Sequence, residues 1–329
     1  MVKFLIIRFS SIGDIILTTP VIRCLKNQVR EAEIHYLVKK QFLPVVTANP
    51  YIHKVHILED NLHTLIQKIK KEHFDYVIDL HQNIRSFLVK SRLRIMSFSV
   101  NKINIRKWLM VNLKINLLPD KHLVDRYLET LKIFDIQNDN NGLDYFIPPE
   151  DEVNIDSLPE PFSKGFIGVA AGAKHSTKQM PVDMIIELCK ELKRPVILLG
   201  GPEDLPAARK ISEELGNHIY IGCGQYNINQ SASLVRQAQL LITPDTGLMH
   251  IGAGFNKIIL SIWGNTIPEF GMYPYMTHPS SKIFEVKNLS CRPCSKIGFS
   301  KCPKGHFRCM KDLNVKDIAE YANKLCYCA

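Results

Sequence analysis

No run of about 18 consecutive apolar residues occurs in this 329-residue chain, so no segment reads as a membrane-spanning helix. The first apolar strand is not followed by Gly-x-Gly-x-x-Gly. Ser10-Ser11-Ile12-Gly13-Asp14 stands there instead, which argues against an NAD-dependent oxidoreductase. No recognised nucleic-acid-binding motif is present either, so that function has only charge behind it. The opening stretch MVKFLIIRFSSIGD offers a lysine and a short apolar run but no small-residue cleavage site, so it reads as a first strand rather than a signal peptide. The expected location is therefore the cytoplasm.

Acidic residues are in the minority. Asp and Glu number 32 against 42 Lys and Arg, giving a net charge of +10. The deficit is local: residues 85–114 hold no acid at all, but eight cations from Arg85 to Lys114. Apolar Phe87, Leu88, Ile95, Trp108 and Leu109 are interleaved with them. Such a stretch suits polyanions: nucleic acid, anionic lipid head groups or a phosphorylated acceptor. A solvated basic face is the plainer alternative.

Nine cysteines are an odd count, and in the cytoplasm they are expected to be mostly reduced. Cys24, Cys189 and Cys223 are scattered, as buried thiols would be. Cys291, Cys294, Cys302 and Cys309 are clustered. A Cys-x2-Cys pair followed by two more cysteines fits a structural zinc knuckle, and reduced thiols in a compact loop fit equally.

What is present is alternation. Lys3–Phe9, Glu33–Val38, Lys54–Leu58 and Phe74–Leu80 read as strands. Helical spacing covers Ile15–Gln28, Gln41–Ala48, Leu62–Lys71, Ile84–Leu93 and Leu123–Phe134. The polar stretch 137–164, rich in Asn, Asp and Pro, is the best linker candidate. Beyond it strands at Phe166–Ala170, Pro195–Leu199, His218–Ile221, Leu240–Thr243 and Ile258–Trp263 alternate with helices at Val182–Leu192, Leu205–Leu215, Ser231–Gln237 and Gly247–Gly254. A final helix covers Asn314–Leu325. The length exceeds one typical core, so the expectation is two doubly wound, Rossmann-like α/β domains, residues 1–152 and 153–329. Ligands in such folds bind beyond the carboxyl ends of strands.

Two strand-to-helix junctions carry the chemistry. Pro244-Asp245-Thr246-Gly247-Leu248-Met249-His250 follows an apolar strand and starts a helix, whose unpaired N–H groups and dipole suit a phosphate. Thr246 and His250 add hydrogen-bonding side chains, although His250 could equally satisfy a buried carbonyl. Asp245 would repel phosphate, so it fixes the turn or a sugar hydroxyl. The other junction, Arg8 to Asp14, offers a carboxylate, either as a helix cap or as a base. Gly200-Gly201 and Gly222 end two further strands and could line a base and ribose, though turn chemistry explains them as well.

These residues resemble glycosyltransferase family 9, the group containing the lipopolysaccharide heptosyltransferases. The likeness rests on Ser10–Asp14 with Thr18-Thr19-Pro20, on Asp79–Ser86, on Lys178-Gln179-Met180-Pro181, and on Asp245–His250, in the family's order and across nearly the whole chain. It implies two Rossmann-like domains facing a cleft (the GT-B arrangement) and inverting transfer from a nucleotide-diphosphate sugar, with heptose from ADP-heptose the leading expectation. No cofactor is implied for catalysis. Asp14 aligns with the proposed general base. Lys178 falls on the donor diphosphate with Asp245, Thr246, Gly247, His250, Gly200, Gly201 and Gly222. Ser10, Ser11, Gly13, Asn83, Arg85, Arg92 and Arg94 fall on the acceptor side, facing an anionic, lipid-linked glycan, which implies peripheral contact at the cytoplasmic face of the inner membrane. The family more often has Trp where this chain has Met180.

Overall fold

The protein is described here from a computed structural model covering residues 1–59 and 61–327. Its contacts divide the chain into two units. One comprises Met1–Ile103 and Lys121–Phe146, the other Asn104–Asp120 and Ile147–Ala329.

The first unit is built on β1 (Val2–Ile7), β2 (Ala32–Lys39), β3 (Lys54–Leu58), β4 (Tyr76–Asp79) and β5 (Met96–Ser99). All pair in parallel, in the order β3-β2-β1-β4-β5. Helices α1 (Ile12–Ile16), α2 (Thr19–Gln28), α3 (Leu62–Lys70) and α4 (Ile84–Leu93) connect the strands. Phe4, Leu5, Ile6 and Ile7 of β1 are fully buried, as a central parallel strand covered on both faces requires. Each such side chain stabilises the fold by about 1.5–3 kcal/mol. The strand order reverses at β1, which has β2 on one side and β4 on the other. The loops after β1 and β4 therefore open side by side, with Ile7 in register with Asp79.

Helix α5 (Asn104–Asn112) buries none of its residues and groups with the second unit, while α6 (Leu123–Leu128) packs in the first. The second unit continues with β6 (Ile167–Ala170), α7 (Val182–Glu191), β7 (Val196–Leu199), α8 (Leu205–Leu215), β8 (Ile219–Ile221), α9 (Ile228–Gln237), β9 (Leu241–Pro244), α10 (Gly247–Gly254), β10 (Ile259–Trp263), β11 (Lys282–Glu285), α11 (Arg308–Lys311) and α12 (Val315–Tyr327). Its parallel sheet runs β11-β10-β9-β6-β7-β8 and reverses between β6 and β9. The loops that follow those two strands carry Lys178 and Asp245.

Four segments depart from the sequence-based expectation. Ile15–Gln28 is two helices, because Pro20 has no N–H to continue one; the Thr18 and Thr19 hydroxyls donate instead to the Ile15 and Ile16 carbonyls at 2.6 and 2.8 Å. Gln41–Ala48 is a 3-10 turn over Lys40–Val45, with Pro44 inside it. Leu123–Phe134 tightens from α6 into a 3-10 stretch at Glu129–Phe134. The linker candidate is anchored rather than loose. Arg23 donates to Asp139 at 2.7 and 2.8 Å, to the Gly142 carbonyl at 2.9 Å and to Asp144. Those hydrogen bonds hold the Asp139 carboxyl down at about 2. The elements β5, α5, β11 and α11 were not anticipated.

Candidate active site

In the first unit the chain leaves β1 at Arg8, which is 8% exposed. Its guanidinium meets the Asp14 carboxylate at 2.6 Å and donates to the carbonyls of Ser10 at 2.7 Å and Leu80 at 2.6 Å. The Tyr127 ring lies 5.9 Å from it. Burial is the largest single influence and works against the Arg8 charge, but Asp14, with Tyr127 and Tyr36 adding to it, holds the guanidinium above its ordinary range. Asp14 also accepts from the Ser11 N–H at 3.1 Å and the Ser11 hydroxyl at 2.7 Å. The carboxylate is thus both the acid of a helix-capping box on α1 and half of an ion pair, with 18% of its side chain exposed.

The neighbouring loop is organised by Asp79, which is fully buried. It accepts from the N–H groups of His81 at 3.0 Å and Gln82 at 2.7 Å, and from the Ser86 hydroxyl at 2.8 Å. Lys90 reaches it at 2.9 Å. Asn83 caps α4 through the Ser86 N–H at 2.9 Å. His81 sits edge-on to Phe9, and burial, followed by the Arg8 and Lys102 charges, pushes its pKa down to about 4. It is therefore neutral at pH 7.

The structure brings Ser10, Ser11, Gly13, Asp14, Asn83 and Arg85 to one edge of the first sheet. Arg92 and Arg94 are not with them. Helix α4 starts at that edge and runs back along the sheet, carrying Arg92 roughly 10 Å away from Arg85 at about 1.5 Å per residue. Arg94 ends the helix in a left-handed conformation at φ 58°. The basic stretch is not one solvated face either: Lys90 is committed to Asp79, and Lys114 donates to the Pro293 carbonyl at 2.5 Å.

In the second unit Lys178 ends a 3-10 turn, Ser176–Lys178, in the loop after β6. Its ammonium meets Asp245, in the loop after β9, at 2.5 Å, and the Thr266 hydroxyl donates to the same carboxylate oxygen at 3.1 Å. Asp245 therefore fixes a cation as well as a turn. Thr246 precedes α10 without capping it; its hydroxyl pairs with Thr243 at 3.1 Å. Gly247 opens the helix, and His250 is buried one turn in. An ammonium and the positive end of a helix on one sheet edge suit an anion.

Gly200, Gly201 and Gly222 have packing reasons of their own. A Cβ at Gly200 would lie 2.5 Å from an Asp204 carboxylate oxygen, and one at Gly222 would lie 2.8 Å from the Leu198 carbonyl. The Gly201 N–H donates to Asp204 at 3.0 Å. Sequence reasoning overlooked Arg8, the Asp79–Lys90 pair and Asp204. The available signal was a charged residue at the carboxyl end of a strand, or five residues after one.

Cys291 lies 3.8 Å from His306, and Cys309 is buried. Among the described residues, the sets of three metal-ligating groups within 4.8 Å of one another do not include these cysteines. Met180 is buried in the core of the second unit. A surface groove of about 850 Å³ follows β11 and α12, past Lys282, Phe284 and Tyr321, and none of the candidate residues line it.

Comparison with known proteins places this geometry in context. Residues 62–302 match the model of glycosyltransferase family 9 (heptosyltransferase). The lipooligosaccharide heptosyltransferase 2 of Haemophilus ducreyi is 23% identical, covering 99% of this chain and 100% of that protein. A family 9 glycosyltransferase structure from Veillonella parvula superposes with a TM-score of 0.81 at 20% identity, covering 99% and 98% of the two chains. The Escherichia coli ADP-heptose lipopolysaccharide heptosyltransferase II gives a TM-score of 0.76 at 19% identity, covering 98% of each.

Proposed function

The chain belongs to glycosyltransferase family 9, and on that premise we propose that it moves heptose from ADP-heptose to a lipopolysaccharide-core or related lipid-linked glycan. Residues 1–152 bind the acceptor in this proposal and residues 153–329 bind the donor. The observation that carries it is the Lys178–Asp245 pair beside the start of α10, at the point where the second sheet reverses.

Transfer with inversion forms a bond from an acceptor hydroxyl to the anomeric carbon and breaks the bond from that carbon to the diphosphate. Asp14 takes the hydroxyl proton, and ADP leaves with the electron pair. Arg8 favours the ionised, proton-accepting form of Asp14. The same pairing makes the carboxylate a weaker base, so the proton moves late, as the new bond acidifies the hydroxyl. Lys178 and the N–H groups of α10 meet the negative charge that grows on the leaving diphosphate. The chemical step is assigned no cofactor. Cys294 and Cys309 stay neutral thiols, with burial raising both and pushing Cys309 up to about 11.

The acceptor's negative charge matches Arg85 at the Asp14 edge. Peripheral contact with an anionic membrane face is supported by α5, where Ile105 and Trp108 are 76% and 56% exposed beside Arg106 and Lys107. Thermal unfolding in the presence of nucleotides tests the donor. ADP and ADP-heptose are expected to raise Tm while UDP and GDP do not; a preference for UDP or GDP overturns the donor assignment.

A further inference from the structure

A second cluster of polar side chains lies in the first unit, at the opposite end of the sheet from Asp14. Glu33 and His35 sit at the start of β2, His53 immediately precedes β3, and His56 lies within β3. Glu33 is in register with Lys3, roughly 16 Å along β1 from Arg8 at about 3.3 Å per residue.

His35 is 1% exposed. Its Nε2 lies 2.8 Å from Glu33 Oε1, and its Nδ1 lies 2.9 Å from His56 Nε2. His53 stacks on His35, with ring centroids 5.6 Å apart, and its Nε2 lies 3.8 Å from the same Glu33 oxygen. Glu33, His35 and His53 thus present one ligand atom each, all within 4.8 Å of one another.

We propose that Glu33, His35 and His53 form a binding site for a divalent transition cation of the zinc class. Two imidazole nitrogens and one carboxylate oxygen are a donor set such ions favour. Tetrahedral bonds of about 2.0–2.1 Å put ligand atoms roughly 3.3 Å apart. The observed 2.8 and 3.8 Å bracket that spacing, so small side-chain rotations close the site. The His53 side chain is 62% exposed, which gives the ion an entry and leaves a position for water.

The surroundings support ligation as well. A metal on His35 Nε2 leaves the ring's proton on Nδ1, where it donates to His56 Nε2. That partner fixes ring orientation and tautomer, as outer hydrogen bonds do around metal-bound histidines. In the metal-free state the pair runs the other way: His35 Nε2–H donates to Glu33 and Nδ1 accepts from His56. Binding therefore shifts tautomers without requiring a net proton release from the pair. Lys3 competes for Glu33 at 3.1 Å, but its side chain is 25% exposed and can swing to solvent.

Cobalt(II) titration of the full chain tests the site, because cobalt distinguishes nitrogen and oxygen ligands from thiolates. The titration is run on the wild type and on a Cys291→Ser/Cys294→Ser chain, so that thiolate binding is recognised. Visible d–d bands without near-ultraviolet thiolate charge transfer are expected in the double variant, with zinc displacing the cobalt. His53→Ala and Glu33→Gln in that background are each expected to weaken binding at least about tenfold. Because His53 is exposed, His53→Ala leaves the fold intact where a His35 variant could disturb the core. Loss of all cobalt binding in the double variant overturns the proposal. So does an affinity for His53→Ala within about threefold of its parent.

Discussion

Replacing Arg8 with Met removes one charge, takes the cation from Asp14 and takes a donor from two carbonyls. Asp14 loses a 2.6 Å ion pair, and the Ser10 and Leu80 carbonyls lose donors at 2.7 and 2.6 Å. Breaking a fully buried pair costs about 3–5 kcal/mol. Here 18% of the Asp14 side chain reaches solvent, and water recovers part of that, so about 2–3 kcal/mol is the expected loss. For a chain of this size it lowers Tm by about 3–4 °C. The effect on activity is larger. General-base help contributes about 10²–10⁴ in rate, and misplacing a catalytic group by about 1 Å costs about 10². Arg8→Met is therefore expected to cut kcat about 100-fold at a temperature where the variant is folded. Arg8 acts here as a positioning residue: it orients Asp14 without touching the substrate. The donor pair sits in the other unit, so the Kd for ADP should stay within about twofold, which is about 0.4 kcal/mol. Steady-state kinetics with ADP calorimetry on the same preparation reads both. A kcat within threefold of wild type, or ADP affinity falling in step with kcat, would refute this role.

Further expectations concern the donor pair, the acceptor charge and acid stability. Lys178→Met should weaken ADP binding about 10- to 100-fold, or about 1.4–2.8 kcal/mol, measured by calorimetry; unchanged affinity would remove Lys178 from the donor site. Arg85→Gln should raise the acceptor KM and reduce its dependence on salt, while Arg92→Gln, carried away along α4, should leave it near wild type; equal effects would contradict the placement of α4. His81 is pushed from 6.5 down to about 4 in the folded state, so the unfolded chain binds more protons between those values and stability falls as pH drops through that window. By pH 4 the loss reaches about 3 kcal/mol, and His81→Gln should flatten that part of the Tm profile; an unchanged slope would rule out His81 as its source.

Much of the second unit was legible from the sequence. Strands β6, β7, β9 and β10 are short, buried apolar runs bounded by turn residues, and the expected limits fall within one residue of them. Three of the unanticipated elements share a physical cause, while α11 is a single turn too short to show a period. Strand β5 reads MSFS and β11 reads KIFE; both are edge strands with little burial and no sustained apolar run. Helix α5 has no buried face, so its residues show no apolar stripe committed to a core. Where a helix was expected too long, at Ile15–Gln28, apolar periodicity continued through Pro20 and masked the break.

The candidate site divides the same way. Asp14, Lys178 and Asp245 stand at strand-to-helix junctions, where turn residues and local motifs mark them. Arg8 was invisible as a partner of the Leu80 carbonyl because 72 residues separate them. Only the sheet order, with β1 beside β4, brings them together. Asp204 is similar: its importance lies in the space left by Gly172 and Gly200, which is a property of packing between loops. Arg92 and Arg94 looked equivalent to Arg85 in a basic run, but the direction of α4 distinguishes them.

The most direct measurement is single-turnover glycosyl transfer by Asp14→Asn beside its affinity for ADP. Asparagine keeps the size of the side chain and accepts from Ser11 but cannot take a proton. The rate should fall at least about 10³-fold, within the range general-base catalysis supplies, with ADP Kd unchanged. A rate within tenfold of wild type in a folded, ADP-binding variant would contradict the assignment of Asp14 as the base.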